Sequence, residues 1–353
     1  MTSNEFQKAY GFLGIGQFGA NITRQFETAG YPCIIANSSQ EDLRQAHNAK
    51  NKLHFSGGSG CHKDRRKSKQ LLKDNMTMLV DEVRAKMSEI STLFICASAA
   101  GGTGSGMLAA ASKILKNELD VNICVVTVLP SKSELFKAYA NTVELFQELE
   151  RLEEIGATFI LDNGKRFEKM KINEFFYTHL SALLANENGS DRGCVDRGEI
   201  NELLRTSGMA IVTKLGMEKS DTSTLLSALK ANDIYATPET DRVIRYLCLM
   251  RCNDGISVEQ LYSELGMPVD DFLGAGATST ICMIAGLSYP KTRLNEIRKT
   301  AQANRDIITK NREAANDSLF GDDDVGFLGE FDAKPKAKPE KKVSSLDLLD
   351  EFL

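Results

Sequence analysis

Five short apolar runs punctuate the first half of the chain: GFLGI (11–15), CIIA (33–36), LFICA (93–97), VNICVVTV (121–128) and ATFIL (157–161). The segments between them, such as 64–90 and 107–119, are polar and carry a helical period. A strand that is apolar on both faces must be covered on both. Such strands alternating with helices therefore imply a parallel sheet between two helical layers. The expectation is a doubly wound α/β domain whose ligands sit beyond the carboxyl ends of the strands.

Glycine-rich segments fall at those strand ends. The first, GIGQFGAN, sets Gly14, Gly16 and Gly19 as G-x-G-x-x-G at a strand-to-helix turn. A dinucleotide site would want an acidic residue at the end of the second strand to hold a ribose, but that strand ends Ala36-Asn37-Ser38-Ser39. The second segment is SGGSGC (56–61), which by itself also describes a flexible turn. The third, AAGGTGSG (99–106), lies between a buried strand and a helix. Its glycines let backbone N–H groups face an anion, the helix N-terminus adds positive potential, and Thr103 and Ser105 add hydroxyl donors. It is not a Walker A loop, because no Gly-Lys-Ser/Thr follows and Lys113 lies well inside the helix. A triphosphate would be held there by backbone amides and Mg²⁺ rather than by a lysine.

Composition narrows the setting. The 353 residues suffice for about two domains. A hydrophobic content of 42% with 26% charge is ordinary for a globular protein able to bury a sizeable core. No run approaches the roughly 18 apolar residues of a membrane span, and MTSNEFQKAY has no signal-peptide pattern, so the expected location is the cytoplasm. The eight cysteines (33, 61, 96, 124, 194, 248, 252 and 282) are scattered without a CxxC pair or a His cluster, and read as reduced core residues with no protein-built metal site. A net charge of −5 gives no global attraction for nucleic acid or anionic membrane, so DNA would be met through another protein.

The third glycine segment also carries a specific resemblance: AGGTGSG resembles the tubulin/FtsZ signature GGGTGSG, with Ala100 at the first glycine. GQFGAN (16–21) resembles the first phosphate loop of tubulin more than that of FtsZ, and GGSGC (57–61) resembles the second loop. The resemblance implies a GTP/GDP site with Mg²⁺. Its phosphate loops would comprise Gly16, Gln17 and Phe18; Gly58, Ser59 and Gly60; and Ala99, Ala100, Gly101, Gly102, Thr103, Gly104 and Ser105. Gln17 would lie near phosphate and Mg²⁺, and Asn21 near guanine. Glu134 in VVTVLPSKSE falls where the family has a ribose-binding glutamate, and Asn163 in ILDNGK where a loop contacts the base. On their own, Glu134 describes a solvated loop carboxylate and Asn163 a turn residue. The family also stacks an aromatic of its central helix on the base, and Phe175, Phe176 and Tyr177 all remain open for that part.

After that helix comes NENGSDRGCVDRGEINELL. In the family this loop enters the neighbouring subunit's nucleotide pocket and polarises the attacking water. The resemblance assigns that catalytic role to Asp196 and Glu199, with Cys194 where the family often has Asn. As a bare pattern D-x-x-E equally describes a carboxylate in the first turn of a helix. Further on, 245–252 and 279–287 read as strands, and 291–317 as one long helix with Leu294, Ile297, Ala301 and Ile308 on a stripe. Past 320 the chain turns acidic, then lysine- and proline-rich, a composition expected to be disordered. It ends SSLDLLDEFL, with Leu346, Leu349 and Phe352 spaced by three, a pattern for a partner-binding peptide or simply a solvated tail.

The resemblance thus implies a tubulin-like α/β fold. Its parts are a GTP-binding domain (1–170), a central helix (171–190), a smaller α+β domain (191–290), a long helix (291–318) and a tail (319–353). The implied activity is polymerisation-coupled GTP hydrolysis in head-to-tail filaments. Within the superfamily the short chain and the GQFG loop resemble the TubZ group, which segregates plasmid and phage DNA through a DNA-binding adaptor of the TubR type. The competing readings are an FtsZ-like division GTPase, a nicotinamide-dependent oxidoreductase and a nucleotide-binding structural protein without turnover.

Overall fold

A computed structural model describes residues 6–316 except 47, 153, 187–192, 231, 232 and 240–243. The first six strands are β1 (Tyr10–Ile15), β2 (Cys33–Asn37), β3 (Lys52–His54), β4 (Thr92–Ser98), β5 (Asn122–Leu129) and β6 (Ala157–Asp162). They pair in parallel in the order β3-β2-β1-β4-β5-β6. The order reverses between β1 and β4, and a doubly wound sheet opens its ligand crevice at such a reversal. The first and third glycine loops leave these two strands, so the topology alone sets them side by side.

Period-two alternation builds the two layers. Phe12, Phe94 and Phe159 face one side, and Leu13, Ile15, Ile95 and Val125 the other. The helices over the first half are α1 (Gly16–Thr28), α2 (Gln40–Gln45), α3 (Arg65–Asp74), α4 (Met76–Lys86), α5 (Thr103–Glu118), α6 (Phe136–Leu149) and α7 (Lys169–Ala185). On one face Phe12 stacks between Phe26 of α1 and Phe94 of β4, with ring centroids at 3.8 and 4.8 Å. On that same side α7 inserts Phe176, fully buried against Phe159 and Tyr235. Leu71 and Leu72 of α3 and Leu108 and Leu115 of α5 close the opposite face.

The single helical segment expected over 64–90 is two helices. Asn75 interrupts it because its side chain serves the second glycine loop, donating to Ser56 O at 3.1 Å and accepting from Ser56 N at 2.8 Å. The helix expected from 107 begins at Thr103, inside the glycine segment itself.

The second half comprises α8 (Arg197–Arg205), β7 (Gly208–Leu215), α9 (Thr222–Lys230), β8 (Tyr246–Arg251), α10 (Val258–Leu265), β9 (Asp270–Ala275), β10 (Thr280–Leu287) and α11 (Lys291–Asn316). Its strands extend the first sheet. β7 pairs in parallel with the start of β6, and the order continues β7-β10-β8-β9, with β10 antiparallel to both neighbours. The α+β segment thus shares one ten-stranded sheet with the phosphate loops.

Of the stripe expected on the long helix, Ile297 is buried and Leu294 and Ala301 pack on the core, but Ile308 is exposed, because α11 has by then run past α6. Six cysteines are buried as expected. Cys252 is half-buried and Cys194 is exposed, so neither belongs to the core, and all eight are free thiols. Among the described residues no helix is long and apolar enough to cross a membrane. The tail, with Leu346, Leu349 and Phe352, lies outside the described residues.

Phe176 ties the central helix to the sheet, so Phe176→Ala should lower unfolding stability by about 3–5 kcal/mol. A urea unfolding curve checks this, and the loss should be the same with or without nucleotide.

Candidate nucleotide site

The three glycine loops meet at the reversal between β1 and β4. Gly16 turns β1 into α1 at φ +74°, and a Cβ placed on it would lie 3.5 Å from Gly104 N. The second loop rests on the third: a Cβ on Gly102 would come within 2.7 Å of Lys63 Cα. Gly101, by contrast, has open space where its side chain would be, with only Ser98 Cβ at 3.9 Å. The open side of the third loop is therefore at Gly101, just before α5 begins.

Three polar residues staple the loops together. Ser38 Oγ lies 2.7 Å from Thr103 Oγ1 and accepts from Cys61 Sγ at 3.3 Å, while Ser38 O accepts from Gly60 N at 3.0 Å. Asn141 of α6 donates through Nδ2 to Gly101 O at 2.8 Å and Lys63 O at 3.2 Å. Arg65, with a side chain 3% exposed, donates to Ser105 O at 2.9 Å and pairs with Glu148 at 2.5 Å and Glu144 at 2.9 Å. None of the three was singled out from the sequence. For Ser38 the signal was present, because it stands where an acidic residue was sought and not found.

Several expected contacts turn inward. The Ser105 hydroxyl is fully buried and donates to Gly101 O, so it is no donor for a ligand. Ala99 N donates to Val128 O at 3.2 Å and Ala100 N to Ser98 Oγ at 3.2 Å, which takes both amides out of the cradle. A side chain on Gly104 would press on Ile15 O at 3.0 Å and Ala97 Cβ at 3.1 Å, so this glycine seats α5 on the sheet. Phe18 packs on the core rather than toward the loops. What remains for an anion are the amides of the first turn of α5, which no preceding helical turn accepts, together with the positive end of its dipole.

The other end of the crevice holds the remaining residues. Glu134 is bridged by two lysines, Lys169 at 2.8 Å and Lys63 at 3.3 Å. The hydrogen bond from Lys169 holds its carboxyl below the usual carboxylate range, partial burial opposing it. Gln17 Nε2 donates to Asn21 Oδ1 at 3.4 Å, and Asn21 Nδ2 lies 4.0 Å from Met170 Sδ, at the start of α7. Asn163 is half-buried just past β6, its backbone N–H donating to Leu129 O at 3.2 Å. Arg293 of α11 fixes this corner, donating to Asp162 at 2.9 Å and to Pro130 O at 2.9 Å, so one guanidinium holds the loops that carry Asn163 and Glu134.

The three candidate aromatics separate. Phe176 is core. Phe175 packs on Phe167 at 5.0 Å and lines a cleft of about 830 Å³ with His179 and residues of β7, a cleft that no glycine-loop residue lines. Tyr177 stands edge-on to Phe26 of α1 at 5.1 Å. Of the three, Tyr177 alone shares with Met170 the side of α7 that meets α1.

Asp196 and Glu199 form a capping box at the start of α8. Glu199 N donates to Asp196 Oδ1 at 2.9 Å, and Asp196 N donates to Glu199 Oε2 at 2.7 Å. They lie at the opposite end of the sheet from the cradle. Asn122 and Tyr10, the first residues of β5 and β1, bond to Leu204 and Asn201 of α8. Asn186, just after α7, donates to Val195 O at 3.1 Å. The 17 residues of α7 separate the two ends by about 25 Å.

The staple at Ser38 gives a direct check. Ser38→Ala and Thr103→Ala should each cost about 0.5–1.5 kcal/mol. The double variant should cost less than their sum, because both remove one shared hydrogen bond. Denaturant unfolding of the four proteins measures the coupling.

Residues 10–171 match the model of the Tubulin/FtsZ family, GTPase domain. The tubulin-like protein TubZ of a Clostridium botulinum C phage is 26% identical over 314 residues, 86% of this chain and 86% of that protein. The crystal structure of Clostridium botulinum phage c-st TubZ has a TM-score of 0.76 at 22% identity, covering 84% of this chain and 98% of that one. A GTPγS-form protofilament of Bacillus thuringiensis serovar israelensis TubZ has a TM-score of 0.71 at 16% identity, over 88% of this chain and 92% of that one. With its three loops inside the matched segment, the chain carries a tubulin/FtsZ-family GTPase domain over residues 10–171, and over most of its length it is similar in sequence and fold to TubZ proteins.

Proposed function

We propose that this chain is a GTP-dependent, filament-forming GTPase whose active site is completed by a second copy, and that it segregates plasmid or phage DNA through a DNA-binding adaptor. The observation that carries this reading is the separation of the two halves of the site. The anion cradle lies at the carboxyl ends of the strands, and Asp196 and Glu199 lie at the far end of α7. Head-to-tail stacking brings the carboxylates of one copy to the cradle of the next. There a carboxylate orients and deprotonates the attacking water.

The triphosphate is held by the amides that open α5, the ribose by Glu134 and the base by Asn21 and Asn163. Gly16, Gly58, Ser59 and Gly60 shape the approach. Among the described residues no group of three His, Cys, Asp or Glu side chains converges as a metal site. Mg²⁺ would be carried mainly on phosphate oxygens and water, with Gln17 and Thr103 as the side chains that would offer it oxygen ligands. It would supply charge neutralisation between the phosphates. A likeness in fold to a TubZ described as a type III plasmid segregation protein supports the partition role, and the net charge of −5 accords with an adaptor making the DNA contact.

Because Asp196 and Glu199 also cap α8, alanine at either position would confound catalysis with folding. Asp196→Asn retains an N-cap and Glu199→Gln retains the reciprocal bond of the capping box. Both variants should melt and assemble like the parent, yet lose roughly 10²- to 10⁴-fold in phosphate release. The parent's rate per molecule should rise steeply with protein concentration, followed by light scattering in the same cuvette. Full turnover by dilute monomer would remove the shared-site mechanism.

The adaptor is tested separately. Deleting residues 344–353 should leave GTP hydrolysis and assembly intact while abolishing co-sedimentation of filaments with the adaptor–DNA complex. Unchanged capture would assign the tail no part in it.

A further inference from the structure

One cation stands against the phosphate cradle with no part in that mechanism. Lys63 follows His62, and both residues adopt left-handed backbone, at φ +60° and +47°. Two consecutive non-glycine residues there are strained and persist only where their surroundings hold them. Asp64 N donates to Cys61 O at 2.7 Å across this turn, and Asn141 holds Lys63 O. The turn presses the Lys63 backbone onto Gly102 at the start of α5, so the side chain springs from the cradle wall.

Its ammonium lies 3.3 Å from Glu134 Oε2, while Lys169 takes Oε1. Two ammonium groups on one carboxylate leave a net positive charge in the crevice. The three residues are also ordered along it. Lys169 opens α7 beside Met170 and Asn21, at the base end; Glu134 stands in the middle; Lys63 is rooted on the glycine loops. Two neighbouring cations are otherwise engaged: Arg65 is buried on Glu144, Glu148 and Ser105 O, and Lys67 donates to Gly60 O at 2.9 Å. The Lys63 side chain is 39% exposed, on a flexible four-carbon stem that can turn back toward its own root.

We infer that Lys63 is a phosphate-binding residue of this site, resting on Glu134 when the site is empty and passing to the terminal phosphate of a bound nucleoside triphosphate. The inference rests on the GTPase reading and deepens it. As ribose hydroxyls occupy Glu134, the released ammonium finds a stronger partner in a doubly charged phosphate, one rooted stem-length away. A diphosphate lacks that group, and with it Lys63 stays on Glu134. The residue therefore discriminates triphosphate from diphosphate, as a side chain in a site otherwise built from backbone amides.

The test uses the full chain below its assembly concentration and fluorescent analogues of GTP and GDP, with parent, Lys63→Met, Lys63→Gln and Lys63→Arg compared. The uncharged variants should bind the GTP analogue about tenfold or more weakly and the GDP analogue within about twofold of the parent. Lys63→Arg should restore most of the difference, and the salt dependence of GTP binding should be shallower for Lys63→Met than for the parent. Parent-like GTP binding by both uncharged variants overturns the inference. So does an equal loss for GTP and GDP, which would mark the 62–64 turn as a scaffold only. A parent that binds neither nucleotide would instead overturn the GTPase reading on which the inference stands.

Discussion

Helix α1 sits so close to the sheet that a side chain on Gly19 would collide with the carbonyl oxygen of Cys96, and one on Gly14 would lie 2.5 Å from Gly19 O. The whole nucleotide crevice depends on this backbone-on-backbone seat at the reversal between β1 and β4. It lets Gly16 turn against Gly104 and brings the opening of α5 to the mouth of the crevice. Two of the three glycines in GIGQFG thus serve packing, and only the middle one turns toward the third loop at the opening of α5. The division of labour explains why the motif alone does not specify a ligand: the same seat serves any phosphate-bearing cofactor.

Around that seat the site is held by side chains that are buried and polar. Arg65, Asn141 and Ser38 join the second loop to the third, and Arg293 joins the loops after β5 and β6 to the long helix α11. Breaking one member of a buried, satisfied network strands its partners, so such networks hold loops in one arrangement. Arg293 also makes α11, which leads toward the tail, part of the frame of the nucleotide site.

The central helix sets the scale of the molecule. With Lys169 at one end beside Glu134 and Asn186 at the other beside Val195, α7 spans the sheet from cradle to capping box. Neither end reaches the other within one chain. Asp196 and Glu199 each serve a helix cap at home, and the catalytic part proposed for them belongs to a neighbour. The two roles are compatible because the cap uses Asp196 Oδ1 and Glu199 Oε2, leaving one carboxylate oxygen on each.

Sequence alone determined the doubly wound sheet and the positions of the three glycine loops, since fully apolar strands can pack in few ways and glycine stands where a side chain cannot. It also placed Gly16, Glu134 and Asn163 at strand ends, and so on one crevice. The edges were harder to read: β3 has three residues, and β9 is an edge strand that mixes buried and exposed positions without an apolar run. Side-chain direction was beyond it. Ser105, Ala99, Ala100 and Phe18 lie on the expected loops but turn their hydroxyl, amides or ring inward. The residues that secure the site bond far along the chain: Arg65 to Ser105 spans 40 positions, Ser38 to Thr103 spans 65, and Arg293 to Asp162 spans 131. Only the tertiary structure decided those contacts, because a hydrogen bond depends on distance and angle in space, and local pattern carries neither across so many residues.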